Sequence, residues 1–253
     1  MTDITEPLST SRQFQLTRRV ALSDTDPSGR LRLDACARFL QDVAAFDAID
    51  ADISVLGNWI LRRNTISVAS LPTYGTRVLS NTYLTGSGRA WVERTSVISD
   101  IDSGRIYLTA RALWVLTHSG TGAPISVPEA LYDVYGPLAL QHKITIRDAK
   151  RELLPPGASL LPWQIRYCDQ DILSHLNNAT YLEALEEVLH RENIDIGPDQ
   201  PMTCQVIFRE STSYNDQSDV YFLISEDDGT KSVRIYFTNN NQVRTNIELT
   251  LSG

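Results

Sequence analysis

The chain has 253 residues and a mass of 28.3 kDa, a length that fits either two small domains or one large one. Apolar residues make up 42% and charged residues 21%, with 13 glycines and 11 prolines, which excludes a disordered or collagen-like chain. The formal net charge of −8 disfavours nucleic acids and anionic membranes as partners, because both repel an acidic protein.

Cysteine usage and the N-terminal residues indicate the compartment. Cys36, Cys168 and Cys204 are an odd number without a CxxC pair, so they predict neither a disulfide framework nor a metal site. The first dozen residues lack the features of a signal or transit peptide, and no apolar stretch approaches the roughly 18 residues of a membrane span. We therefore expect a cytoplasmic protein.

The first half of the chain predicts a strand, a turn, a long helix and four further strands. Residues 13–22 are strand-like, and the turn-forming sequence SDTDPSG follows them. Between residues 34 and 50 the apolar side chains recur at intervals of three and four, which predicts an amphipathic helix. β-Branched and aromatic runs then predict antiparallel strands at residues 59–69, 77–85, 90–99 and 106–117.

The second half repeats this order after a proline-rich segment. Residues 119–160 contain five prolines and predict a linker with a short helix at 146–153. A strand at 161–168, a polar turn and a helix at 179–191 come next. Four more strands are predicted at residues 202–208, 219–225, 232–238 and 243–251.

A shift of 145 residues aligns the two halves of the sequence. It places Asp26 on Asp171 in the turn and Leu40 on Leu185 in the helix. Agreement across consecutive elements in the same order indicates an internal repeat. The sequence therefore predicts an α+β fold of two copies, each with an antiparallel sheet that wraps a long helix.

The residues of the second turn resemble a known motif. DILSHLNNATY at 171–181 is similar to the D-x-N-x-H-x-N-N-x-x-Y motif of plant and bacterial fatty acyl-ACP thioesterases, and WILRR at 59–63 is similar to their N-terminal framework. The resemblance implies a tandem (double) hotdog with an acyl-binding, non-catalytic copy at 13–118, a linker at 119–160 and a catalytic copy at 161–253. It implies hydrolysis of fatty acyl-ACP to free fatty acid and carrier thiol, without a metal or redox cofactor.

The motif supplies candidates for each step of thioester hydrolysis. Asp171 would act as general base on water or as nucleophile, and the sequence leaves both open. His175 could exchange a proton, and Glu210 could hold water. Backbone N–H groups where the second helix begins would stabilise the oxyanion, with Asn177 or Asn178 as the cap. The alternatives are a turn aspartate, a structural histidine and a merely exposed glutamate.

Two positions depart from the family pattern, and a third differs between the two copies. Leu173 stands where the pattern has an asparagine, so an amide that positions water or the carbonyl is absent. Ser211 stands where a cysteine is typical, which disfavours a cysteine nucleophile. Arg30 occupies the first-copy position that matches His175, and this indicates that the first copy has lost catalysis.

The resemblance also implies where the substrate binds. The acyl chain would lie between helix and sheet of the first copy, with wall candidates Phe39, Val43, Phe46, Trp59 and Leu61. The expected partner is acyl carrier protein. A group of basic residues could contact this partner, or they could form only a scattered solvated surface: Arg18, Arg19, Arg30, Arg32 and Arg38.

Two other functions and two assembly states stay open. DTDPSG at 24–29 resembles the turn of single-hotdog acyl-CoA thioesterases, and Leu173 is compatible with a non-catalytic acyl-binding hotdog protein. Because an internal repeat can replace the pairing of single hotdogs, the chain could be a monomer that is a pseudo-dimer, or a homodimer.

Overall fold

The protein folds around one ten-stranded antiparallel sheet. The structure is a computed structural model that describes residues 12–136, 143–144, 152–216 and 218–251. The strands are β1 (Phe14–Arg19), β2 (Asn58–Val68), β3 (Arg77–Ser87), β4 (Trp91–Asp100), β5 (Ile106–Thr117), β6 (Ser159–Leu161), β7 (Met202–Phe208), β8 (Asp219–Asp227), β9 (Thr230–Asn239) and β10 (Gln242–Leu251). The helices are α1 (Leu33–Asp50), α2 (Ala130–Tyr135) and α3 (Tyr181–Arg191).

The strand order confirms the predicted duplication. From the centre of the sheet outwards, the first half runs β2, β5, β4, β3, β1 and the second half runs β7, β10, β9, β8, β6. Each half therefore connects its five strands in the same order. The two sheets predicted from the sequence are joined into one, because β2 pairs with β7 from Arg63 opposite Ile207 to Val68 opposite Met202. This pairing satisfies the backbone groups of two strands that would otherwise be open edges.

The turns that precede α1 and α3 repeat each other at a spacing of 145 residues. A 3-10 turn ends at Asp24 in the first copy and at Asp169 in the second. In both, the aspartate side chain accepts the backbone N–H of the residue three positions earlier, Ala21 at 2.9 Å and Arg166 at 2.7 Å. The bridge between residues 25 and 31 recurs between residues 170 and 176. The repeat thus extends to individual hydrogen bonds.

The two long helices share one core with the sheet. α1 packs on β1 and β3, α3 packs on β9, and the helices contact each other. Leu40 and Leu185, which the repeat aligns, are both buried in this core. A smaller cluster lies under α2, where Leu131 and Tyr135 are fully buried against Leu84 and neighbouring residues. The segment after β5 therefore packs on the first half of the sheet as far as Tyr135.

Several element limits differ from the sequence-based prediction. The strand expected at 161–168 ends at Leu161, because Pro162 has no backbone N–H to continue the ladder. Cys168 is consequently exposed in a turn. The helix predicted from residue 179 begins at Tyr181. Most of the short helix predicted at 146–153 lies outside the described residues. No helix in the described part of the chain is long and apolar enough to cross a membrane.

Candidate active site

A pocket of about 620 Å³ lies between the turn before α3, the start of β2 and the loop after β7. Asp171, His175, Asn178 and Glu210 all line it. The loop is held beside the turn by the backbone N–H of Leu176, which donates to the carbonyl of Thr212 at 2.7 Å. The structure therefore brings together the predicted catalytic residues from segments about forty positions apart.

Asp171 is held in place through one of its two carboxylate oxygens. Oδ1 accepts the backbone N–H of Leu173 at 2.8 Å and that of His175 at 3.4 Å. The turn closes when the N–H of Asp171 donates to the carbonyl of His175 at 2.8 Å. Within the described residues, Oδ2 accepts no hydrogen bond. One oxygen is thus fixed by the turn, and the other is available to a bound molecule.

His175 and Glu210 differ in how they are held. The imidazole of His175 is half-buried in the pocket wall and makes no hydrogen bond to any residue that the structure describes. Glu210 lies at the exposed rim, where its carboxylate is 3.6 Å from Nε of Arg244. Arg244 also donates to Asp216 at 2.7 Å, so Glu210 shares this cation with a second carboxylate. Its position supports a role at the rim rather than at the reacting bond.

The turn that leads into α3 contains hydrogen bonds that fix its backbone. Oδ1 of Asn177 accepts the N–H of Ala179 at 2.9 Å, and the carbonyl of Asn177 accepts the N–H of Thr180 at 2.9 Å. Asn177 is therefore the cap of this turn. The N–H of Asn178 has no acceptor in the part of the chain that is described, and Asn178 lines the pocket. A donor of this kind at a helix start favours a negatively charged oxygen.

In the first copy, the equivalent place is closed by side chains. Arg30, at the position of His175, donates to Asp26 at 2.9 Å and to Glu186 at 2.8 Å. Oε1 of Glu186 also accepts the backbone N–H of Leu33 at 2.6 Å, and Leu33 is the counterpart of Asn178. The N–H of Leu33, at the position equivalent to Asn178, is therefore already bonded, and the loss of catalysis in the first copy stays a prediction.

The charge of Arg30 is matched by a stabilised carboxylate. Burial opposes the ionisation of Asp26, but the hydrogen bond from Ser28 and the positive charge of Arg30 outweigh it and lower the pKa of Asp26. Asp26 therefore stays ionised and keeps Arg30 in place.

A second, mainly apolar pocket of about 360 Å³ lies between α1 and the sheet. It shares Asn58, Trp59 and Leu173 with the polar pocket, so the two pockets adjoin. On the helix side it is lined by Gln41, Ala44, Ala45, Ala48 and Ile49. The short alanine side chains leave this space open.

The placement of the predicted acyl-binding residues is mixed. Trp59 lines both pockets, and Leu61 lines the polar one. Phe39, Val43 and Phe46 line neither, because they lie on other faces of α1: Phe39 packs under Arg18, Val43 is fully buried and Phe46 is 47% exposed. The sequence-based prediction chose the large apolar residues of α1 as pocket walls, whereas the pocket is lined by the small residues at positions 44, 45 and 48.

The basic residues considered as a carrier contact are mostly paired. Arg18 bonds Asp42, Arg32 and Arg38 bond Asp34, and Arg30 bonds the carboxylates described above. Their charge is therefore largely used within the protein, which favours the alternative of a solvated, ion-paired surface.

Two of the three cysteines, Cys36 and Cys204, are buried. Burial raises the pKa of the Cys36 thiol and raises that of Cys204 to about 12, so neither is a thiolate near neutral pH. Over the described residues, no cluster of three or more histidine, cysteine, aspartate or glutamate side chains could hold a metal ion.

Comparison with known sequences identifies the family. Residues 11–135 match the sequence model of the acyl-ACP thioesterase N-terminal domain, and residues 157–251 match that of the C-terminal domain. The chain belongs to the acyl-ACP thioesterase family. This confirms the predicted activity of this acyl-ACP thioesterase as a thioester hydrolase that acts on acyl-ACP.

Individual relatives of this acyl-ACP thioesterase are distant in sequence. A chloroplastic acyl-[acyl-carrier-protein] hydrolase of Cuphea viscosissima is 28% identical over 132 residues, which is 49% of this chain but only 31% of the relative. An uncharacterized protein of Mycobacterium tuberculosis is 24% identical over 172 residues, 68% of each chain.

Solved structures confirm the tandem hotdog fold of this acyl-ACP thioesterase. A provisionally assigned oleoyl thioesterase of Lactobacillus plantarum superposes with a TM-score of 0.82 at 15% identity, over 96% of this chain and 97% of the other. A 12:0-ACP thioesterase of Umbellularia californica superposes with a TM-score of 0.69 at 18% identity, over 95% and 96%.

Proposed function

We propose that this acyl-ACP thioesterase cleaves fatty acyl thioesters in the pocket around Asp171, with the acyl chain in the adjoining apolar pocket. The observation that carries this proposal is that Asp171, His175 and Asn178 line the same pocket, and that one carboxylate oxygen of Asp171 and the N–H of Asn178 have no hydrogen-bond partner among the described residues. Trp59 and Leu173 connect this pocket to an apolar space beside α1. A polar reaction site that adjoins an apolar pocket suits a substrate with a thioester head and a hydrocarbon tail.

The proposed reaction starts at the unbonded oxygen of Asp171. As a general base, this oxygen takes a proton from water while the water oxygen attacks the thioester carbonyl. The carbonyl oxygen becomes negatively charged and accepts the N–H of Asn178. When the tetrahedral intermediate collapses, the carbon–sulfur bond breaks and the leaving sulfur takes up the proton, which leaves free fatty acid and carrier thiol.

The same geometry also permits direct attack by Asp171 on the carbonyl, followed by hydrolysis of the resulting anhydride. In both routes Asn178 has the same role. His175 lines the same pocket and has no hydrogen-bond partner in the described ranges, so we assign its imidazole the exchange of a proton with the leaving sulfur.

The carrier follows from the family, and one observation bears on the acyl-CoA alternative. The DTDPSG turn that resembles acyl-CoA thioesterases belongs to the first copy, where Arg30 and Glu186 close the equivalent place. That resemblance therefore does not describe the open site. We propose acyl carrier protein as the partner and the cytoplasm as the compartment.

The test compares the two copies directly. Thiol release from acyl-ACP is measured for wild type, Asp171→Ala and Asp26→Ala, the equivalent change in the first copy. We expect Asp171→Ala to lose at least about a hundredfold in rate, the scale of one acid–base group, and Asp26→Ala to keep most of the activity. Equal rates for wild type and Asp171→Ala, with both proteins folded by circular dichroism, would contradict the proposal.

A further inference from the structure

Gln41 in α1 and Glu186 in α3 occupy equivalent positions, because they are 145 residues apart. The closed site of the first copy shows which backbone group a side chain at this position, on the helix of the other copy, can reach. Glu186 crosses to the turn of the other copy and accepts the backbone N–H of Leu33 at 2.6 Å. The repeat equates Leu33 with Asn178, so the symmetry of the two halves places Gln41 beside the N–H of Asn178.

The cavities support this placement. Gln41 and Asn178 both line a small cavity of about 30 Å³ between the two helices and the sheet. This cavity shares Asn178 with the polar pocket and Gln41 with the apolar pocket. If the acyl chain occupies the apolar pocket and the carrier arm the polar one, the thioester bond lies at this junction.

The cavity is small and mainly apolar, but polar side chains also line it. Its volume holds about one water-sized oxygen. Asn64 and Trp114 line it as well, and the side-chain atoms Oδ1 of Asn64 and Nε1 of Trp114 have no hydrogen-bond partner among the residues described. Asn64 is only 8% exposed, so an unpaired oxygen there is costly unless a bound molecule completes it.

The side chain at this position on the helix of the other copy is the carboxylate of Glu186 for the first site and the amide of Gln41 for the second. This difference explains why the first site is closed and the second is open. The negative charge of Glu186 binds the helix start strongly and fills the place of an incoming oxygen. Gln41 is neutral, carries two N–H donors and makes no hydrogen bond to a described residue. An oxygen bound at Asn178 could therefore receive a second hydrogen bond from Gln41.

We infer that Gln41, which belongs to the first copy, is a catalytic residue of the site in the second copy. Its side-chain amide donates to the thioester carbonyl oxygen together with the backbone N–H of Asn178. It supplies the amide that Leu173 does not. This inference rests on the proposed function.

The experiment measures kcat and KM for acyl-ACP with Gln41→Glu, Gln41→Leu and a control, Gln164→Glu, which adds the same charge at an exposed position. We expect kcat to fall by about 10²–10³ in both Gln41 variants, the effect of one oxyanion donor, with little change in KM. Gln41→Glu should regain activity relative to wild type as the pH falls and its carboxyl group takes up a proton, because the neutral form can donate again. Gln41→Leu should not, and Gln164→Glu should match wild type.

The outcomes separate this role from the proposed function. An active wild type with unchanged kcat in Gln41→Glu and Gln41→Leu overturns the role of Gln41 alone. A loss that is the same in both variants at every pH points to a packing role and overturns it as well. A wild type that releases no thiol overturns the proposed function and this inference with it.

Discussion

Arg94 of β4 and Asp47 of α1 form a buried ion pair beside the apolar pocket. Nη1 of Arg94 and Oδ2 of Asp47 are 2.6 Å apart, and the two side chains are 6% and 0% exposed. The hydroxyl of Tyr135 in α2 also donates to Oδ2 of Asp47 at 2.6 Å, and Arg12 donates to its other oxygen at 2.9 Å. Burial and the charge of Asp47 raise the pKa of Tyr135 to about 12 despite the opposing charge of Arg94, so its hydroxyl remains a donor. One carboxylate thus ties α1 to the sheet and to α2.

Removal of this carboxylate should destabilise the protein strongly. Asp47→Ala leaves Arg94 buried without its counter-charge, which costs about 3–5 kcal/mol. Asp42→Ala is the matched control, because Asp42 lies on the same helix in a half-exposed pair with Arg18 and should cost less than about 1 kcal/mol. Urea unfolding curves measure both. Similar losses of unfolding free energy in the two variants would contradict the prediction that the buried ion pair stabilises the protein more than the half-exposed pair.

The walls of the apolar pocket should set the length of the acyl chain. Ala48→Phe places a large ring where α1 lines this pocket, so the longest accepted chain should become shorter. We expect kcat/KM for long chains relative to short ones to fall at least about tenfold, as expected when a few methylene groups lose their place. Thiol release across a panel of acyl-ACP lengths is the measurement.

Phe46→Ala is the control for the chain-length experiment. Phe46 is exposed on α1 and does not line the pocket, so its removal should leave the preference unchanged. A shift in chain-length preference with Phe46→Ala but not with Ala48→Phe would support the acyl-binding wall predicted from the sequence, which includes Phe46.

Asp26 in the first copy should make a pH-dependent contribution to the free energy of unfolding. The pKa of Asp26 is lowered in the folded protein, so its contribution is present above the pKa of an unfolded aspartate, about 4, and is lost as the pH falls through the lowered folded value. Asp26→Asn should therefore be less stable than wild type near pH 7, by about 2 kcal/mol for the loss of hydrogen bonds to a charged group.

The pH series itself checks the assignment. The difference in the free energy of unfolding between Asp26→Asn and wild type should shrink as the pH is lowered from 5 towards 2. A difference that stays constant over this range would show that the ionised carboxylate of Asp26 is not what stabilises the turn.

Features that depend on near neighbours in the chain were predictable. The shift of 145 residues came from the order of strand, turn and helix, and the structure reproduces it in single hydrogen bonds. Asp24 and Asp169 bind backbone groups three residues away, and the residues of the turn at 171–178 lie within eight positions of one another. Such contacts are made by the local chain and appear directly in the sequence pattern.

Features that depend on packing between distant segments were not predictable. Periodicity showed that α1 has an apolar face, but its rotation against the sheet decided that Ala44 and Ala48, not Phe39 and Val43, border the open space. The joining of β2 to β7, and the cavity that Gln41 and Asn178 of the two copies both line, likewise depend on how the halves pack. These contacts link residues far apart in the chain, and their energies come from burial and shape complementarity, which no short stretch of sequence contains.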